Sequence, residues 1–64
     1  MYEIRDLARM FKERGIVKKD GIMLSVMVDE PEHRKKLMIW MEENPQATQR
    51  DIFQKIKSIV LNQN

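Results

Sequence analysis

No cysteine occurs among the 64 residues, so neither a disulfide nor a thiolate metal site can supply stability. That absence fits a cytoplasmic protein. Glycine appears only twice, too rarely for a loop that cradles phosphate with backbone N–H groups. There is one histidine, His33; with no second imidazole or thiolate near it and a charged first helical turn around it, it reads as a surface residue and not a metal ligand. No stretch approaches the ~18 consecutive apolar residues of a membrane-spanning helix, and "MYEIRDLARMF" mixes both charges among its apolar positions, unlike a signal peptide. Carboxylates are scattered among basic partners, and a chain this short rarely shapes a pocket deep enough for acid–base work. The sequence is therefore read as a single soluble domain, residues 1–64, that is not an enzyme and carries no cofactor or metal.

What is present is a small apolar inventory under a balanced charge. Domains of this size bury only about 60% of the surface their unfolded chain exposes. A second subunit is the expected source of extra buried area, which makes a homodimer the expectation. Twelve Lys and Arg face ten Asp and Glu. Residues 1–20 carry six basic and four acidic side chains, residues 21–44 three and five, and residues 45–64 three and one. Any surface for DNA phosphate must therefore come from the ends, with Asp29, Glu30 and Glu32 turned away.

The pattern predicts a mainly α fold: an N-terminal amphipathic helix, a short extended or hairpin segment, then two helices joined by an Asn-Pro turn. Ile4, Leu7, Ala8 and Phe11 recur at i, i+3, i+4 and i+7, which predicts an amphipathic helix over about residues 2–14, stopped by Gly15. Asp20-Gly21 between two apolar runs is a hairpin turn signal, so about 22–28 is expected as a strand or hairpin. A short helix is the alternative, since a brief continuous apolar run has no decisive periodicity. Asp29 as cap and Pro31 in the first turn open a helix to about residue 43. Within it "LMIWM" goes all the way round the axis; Leu37, Trp40 and Met41 are assigned to the core, leaving Met38 and Ile39 toward a dimer seam or a partner. Asn44-Pro45 ends that helix. Thr48 with Asp51 forms an approximate capping box for the last one, whose apolar stripe is Ile52, Phe53, Ile56, Ile59 and Val60. Trp40 and Phe53 are expected to anchor the contact between these two helices.

"KKLMIWMEENPQATQRDIFQKI" resembles the first two helices of the helix-turn-helix in bacterial and phage repressors. The resemblance implies a small DNA-binding regulator of transcription. In that family a third, recognition helix enters the major groove, whereas "KSIVLNQN" follows here and offers no positions for its base-reading residues. Residues 22–61, an extended apolar segment, a helix opened by Asp-Glu-Pro and a last helix with "DIFQKI", also resemble ribbon-helix-helix repressors of the Arc type. That resemblance implies an obligate dimer reading DNA through a ribbon whose matching positions are Met23, Ser25 and Met27.

Two classes of function follow. For DNA binding the candidates are Thr48, Gln49, Arg50, Gln54, Lys55 and Lys57, on the polar face of the last helix, with the backbone amides at its start available to a phosphate. For a protein-binding module acting on a larger regulatory protein as antirepressor, inhibitor or adaptor, the candidates are Met38, Ile39, Met23 and Met27. Methionine suits adaptable binding surfaces.

Overall fold

The computed structural model describes residues 2–61; Met1 and residues 62–64, part of the expected 1–64 domain, lie outside the described residues. Four helices and no strand are found among them: α1 (Ile4–Glu13), α2 (Lys18–Met27), α3 (Pro31–Glu43) and α4 (Gln49–Leu61). The chain is mainly α, as its patterning predicts. The extended segment is not formed.

α1 ends where glycine allows it to. Gly15 has φ 78°, a left-handed conformation that side chains with a Cβ resist. The turn it makes returns the Gly15 N–H to the Lys12 carbonyl and the Ile16 N–H to the Phe11 carbonyl, both at 3.0 Å. This is the Schellman arrangement, and its usual apolar contact partners, Phe11 and Ile16, are both buried. Arg14, the last residue before the turn, reaches across to the end of α3. Its guanidinium donates to the carbonyls of Met41 and Asn44, placing a cation at the negative end of that helix.

α2 corrects the reading of Asp20-Gly21 as a hairpin turn. Both residues lie inside the first turns of a helix, where the Asp20 carboxylate sits near the positive helix end. A strand at 22–28 would have no sheet to join, and an isolated hairpin is marginal in water. A helix instead satisfies its backbone groups internally, and it brings Leu24 and Val28, one turn apart, into the core. Gly21 rests against Phe11: a Cβ built there would meet Phe11 Cβ and Cδ2 at 3.7 Å, ordinary contact. Gly21→Ala should therefore raise stability by roughly 0.5–1 kcal/mol, since helix propensity improves and nothing must move. Thermal melts of the two proteins will show it as a higher midpoint.

Packing runs chiefly between α1 and α2 and between α3 and α4, with α2 also against α4 and α1 against α3. The core at the junction of the two pairs consists of Leu7, Phe11, Ile16, Leu24, Val28, Leu37, Met38, Met41, Ile52, Ile56 and Ile59. Its largest fully buried side chain is Phe11. Trp40 and Phe53 were expected to anchor the α3–α4 contact; they pack on the core only partly buried. Two further assignments are corrected. Met38, expected on an outer surface, is 3% exposed, and His33, expected at the surface, is 7% exposed. Both share one face with Leu37 and Met41: at 100° per residue His33, Leu37, Met41 and Met38 fall within about 140°, so the covered side of α3 is turned toward Met38 and away from Trp40.

The α3 cap also differs from expectation. Glu30, not Asp29, occupies the cap position, without a side-chain cap bond, and Pro31 is the first helical residue. The Asp29 carbonyl accepts instead from Arg34 Nη2 at 3.1 Å.

Candidate functional site

The DNA-binding candidates lie together on and before α4, and their surroundings can be taken in chain order. The Thr48 N–H donates to the Asp51 carboxylate at 3.0 Å, and Thr48 Oγ1 accepts from the Asp51 N–H at 3.1 Å. This is the capping box expected from the sequence, and it has a consequence for anions. The backbone hydrogen bond from Thr48, then that from the Thr48 side chain, and the nearby Arg50 charge hold the Asp51 carboxyl below its ordinary range. A carboxylate thus already occupies the start of α4, where a phosphate was expected to bind.

Gln49 Nε2 donates to Asp20 Oδ2 at 3.0 Å, joining the starts of α4 and α2. Lys55 Nζ lies 5.9 Å from the centre of the Trp40 ring, and Lys57 Nζ lies 5.5 Å from that of Phe53. Both distances suit a cation–π contact, and both lysine stems shield aromatic rings the core leaves half-covered. Arg50 and Gln54 are exposed. Four of the six candidates are therefore engaged in contacts within the chain.

Asp51 allows a sign to be fixed for pH. Its lowered folded-state pKa contributes stability above the ordinary carboxylate range, about pH 4, and loses it as pH falls through the lower folded value. Asp51→Asn should therefore melt below wild type at neutral pH, with the difference closing in strong acid. A gap independent of pH would show that the carboxylate charge is immaterial to the cap.

The protein-interface candidates do not assemble. Met38 is in the core, Ile39 is half-buried on α3, Met27 packs against the core, and Met23 alone is exposed. The open apolar surface is elsewhere. Ile4, Ala8 and the rim residues Arg5 and Lys12 of α1 face Lys18, Gly21, Ile22, Ser25 and Val26 of α2 across a groove of about 670 Å³ floored by Phe11 and Ile16. Ile4 is 51%, Ile22 56% and Val26 69% exposed. Two features create this surface. The α1 stripe is wider than its core contact, so Leu7 and Phe11 are buried while Ile4 and Ala8 stay open. The apolar residues of α2 lie all round its axis, and only the Leu24 and Val28 side is covered.

The groove is hidden in the sequence because the Asp20-Gly21 turn signal favours a strand or hairpin at 22–28 over the short helix that forms. Placed on a helix, Lys18, Ile22 and Val26 fall at i, i+4 and i+8 and define one face.

Among the described residues, no helix is long and apolar enough to cross a membrane, and no group of three or more His, Cys, Asp or Glu gathers as metal ligands. Compared with known protein families, curated proteins and solved structures, the chain matches none. The helix-turn-helix resemblance thus stands on its motif alone, and the ribbon positions of the ribbon-helix-helix resemblance, Met23, Ser25 and Met27, lie on α2 and not on a strand.

Proposed function

We propose that the protein is a protein-binding module that receives its partner in the groove between α1 and α2. The observation that carries this reading is the exposure of Ile4, Ile22 and Val26 around one cleft in a chain with so little apolar area to spare. Scattered surface hydrophobes need no explanation, but a contiguous apolar cleft rimmed by charge is the usual form of an interaction site. Action on a larger regulator, as inhibitor, antirepressor or adaptor, accords with a module of this size and with the resemblance to repressor helices.

DNA binding through α4 is the competing reading, and the contacts of its candidate residues weigh against it. The carboxylate at the start of α4 repels phosphate, and Lys55 and Lys57 would have to leave their aromatic partners to reach it. Titration of duplex DNA at several salt concentrations tests the choice. The expected result is no binding tighter than the ~10⁻⁴ to 10⁻⁶ M of non-specific contact at physiological salt. A tighter, steeply salt-dependent complex, with a slope that flattens by about one on each of Arg50→Ala, Lys55→Ala and Lys57→Ala, would overturn the docking reading.

A further inference from the structure

The groove has a charge pattern that restricts what can fill it. Three charged residues line it, Arg5, Lys12 and Lys18, all cationic; no carboxylate does. Of the acidic residues on and beside α1 and α2, Glu3 alone reaches the rim, its carboxylate 3.5 Å from Arg5 Nε, so the charge the groove offers a partner rests on Lys12 and Lys18. At 100° per residue, Ile4, Arg5, Ala8 and Lys12 fall within about 100° of one another, while Asp6 and Glu13 fall on the far side, and Asp20 lies opposite the Lys18–Ile22–Val26 face. Asp20 is in any case held by Gln49, and Asp6 by Arg9.

The shape is equally specific. Ile4, Ala8 and Lys12 on one wall and Lys18, Ile22 and Val26 on the other each run two helical turns, about 12 Å at 1.5 Å per residue. Ala8, Gly21 and Ser25 are the small residues among the lining, and they let a backbone approach closely. An amphipathic helix laid between two such walls presents apolar anchors at i, i+3, i+4 and i+7. Its flanks then meet Lys12 and Lys18, with Arg5 beside them paired to Glu3.

Resting on the reading of this groove as the binding site, we infer that its occupant is an amphipathic helix of another protein whose apolar stripe is flanked by carboxylates. A second copy of this chain fits poorly. In a two-fold pair each patch meets its own copy, so Lys12 and Lys18 would face the same two cations, while the Glu3 carboxylate of each copy is already paired with Arg5. Charge complementarity of the kind that selects partners requires the opposite sign across the cleft.

Two synthetic helical peptides with one leucine stripe test the inference, one flanked by glutamates and the other by lysines, each titrated into the full chain. Affinity is read by fluorescence anisotropy and location by amide shifts in a ¹H–¹⁵N correlation spectrum. The glutamate peptide should bind about tenfold or more tighter at low ionic strength, shifting Ala8, Ile22 and Val26, with the advantage shrinking as salt rises. Lys12→Ala with Lys18→Ala, both exposed and outside the core, should remove most of that preference while circular dichroism stays unchanged.

Equal binding of the two peptides in the groove overturns the acidic partner and leaves the docking reading standing. Shifts centred away from α1 and α2, or no binding of either peptide, overturn both. Sedimentation showing a dimer that Ile22→Glu dissociates would assign the groove to a second copy and overturn the inference.

Discussion

Replacing Phe11 with alanine should remove about 3–5 kcal/mol of folding stability. Phe11 is the largest fully buried side chain and is 1% exposed. It meets Gly21 across the α1–α2 contact, and its carbonyl accepts the Ile16 N–H that closes α1. Gly21, which rests against Phe11, has no side chain with which to fill the space left behind. For 64 residues a total stability of about 3–10 kcal/mol is typical, so the loss approaches the whole. Urea denaturation followed by circular dichroism measures it: the expected result is a chain largely unfolded without denaturant. A midpoint near wild type would mean that α1 and α2 do not pack through Phe11.

The second large effect belongs to the other helix pair. Leu37 on α3 is fully buried, in a helix that meets both α4 and α1. Leu37→Ala should cost about 2–5 kcal/mol through lost burial and the cavity left behind. Val26→Ser is the matched control. Val26 is 69% exposed on the groove wall, so the change should alter stability by no more than about 0.5 kcal/mol, as surface substitutions do. A similar loss at both positions would mean that the groove is part of the folding core and not an open surface.

The difference between Leu37 and Val26 also marks what the sequence could convey. α1 and α4 are legible because each carries a continuous apolar stripe at helical spacing, from which Leu7 and Phe11, and Ile52, Ile56 and Ile59, are buried. Gly15 marked the end of the first, and Thr48 with Asp51 marked the start of the last. These are local signals with local causes, and tertiary packing did not override them. α3 is legible as a helix but not in its burial, since Leu37 to Met41 are apolar all round the axis and only packing decides that the covered side takes in Met38 and His33 and leaves Trp40 half-buried.

α2 shows the opposite failure. Its Asp20-Gly21 pair carries a strong turn signal, and its apolar residues lie on every side, so neither helical nor strand periodicity emerges. The competing consideration was the want of a sheet, which is a property of the whole chain. The expectation of a surface at Met38 and Ile39 has a separate cause, the apolar run Leu37 to Met41 that goes round the axis of α3. The open apolar surface of the fold is instead Ile4, Ala8, Ile22 and Val26, which line one cleft only when residues 18–27 are helical. The candidates lie on one helix and just before its start; of the contacts that occupy them, Asp51 on Thr48 and Phe53 under Lys57 are local, three and four residues apart, whereas Trp40 under Lys55 and Asp20 on Gln49 depend on how α3 and α2 pack against α4.

The claim that partners are received between α1 and α2 is tested most directly by mapping contact on the intact protein with two ligands of different class. A ¹H–¹⁵N correlation spectrum recorded first with a leucine-striped helical peptide bearing neutral glutamine flanks, then with duplex DNA, reports both surfaces at once. The peptide should shift the amides of Ala8, Gly21, Ile22, Ser25 and Val26, and DNA at physiological salt should leave the α4 amides in place. Shifts at Gln49, Arg50, Gln54 and Lys57 on adding DNA, with the groove unmoved by the peptide, would contradict the account.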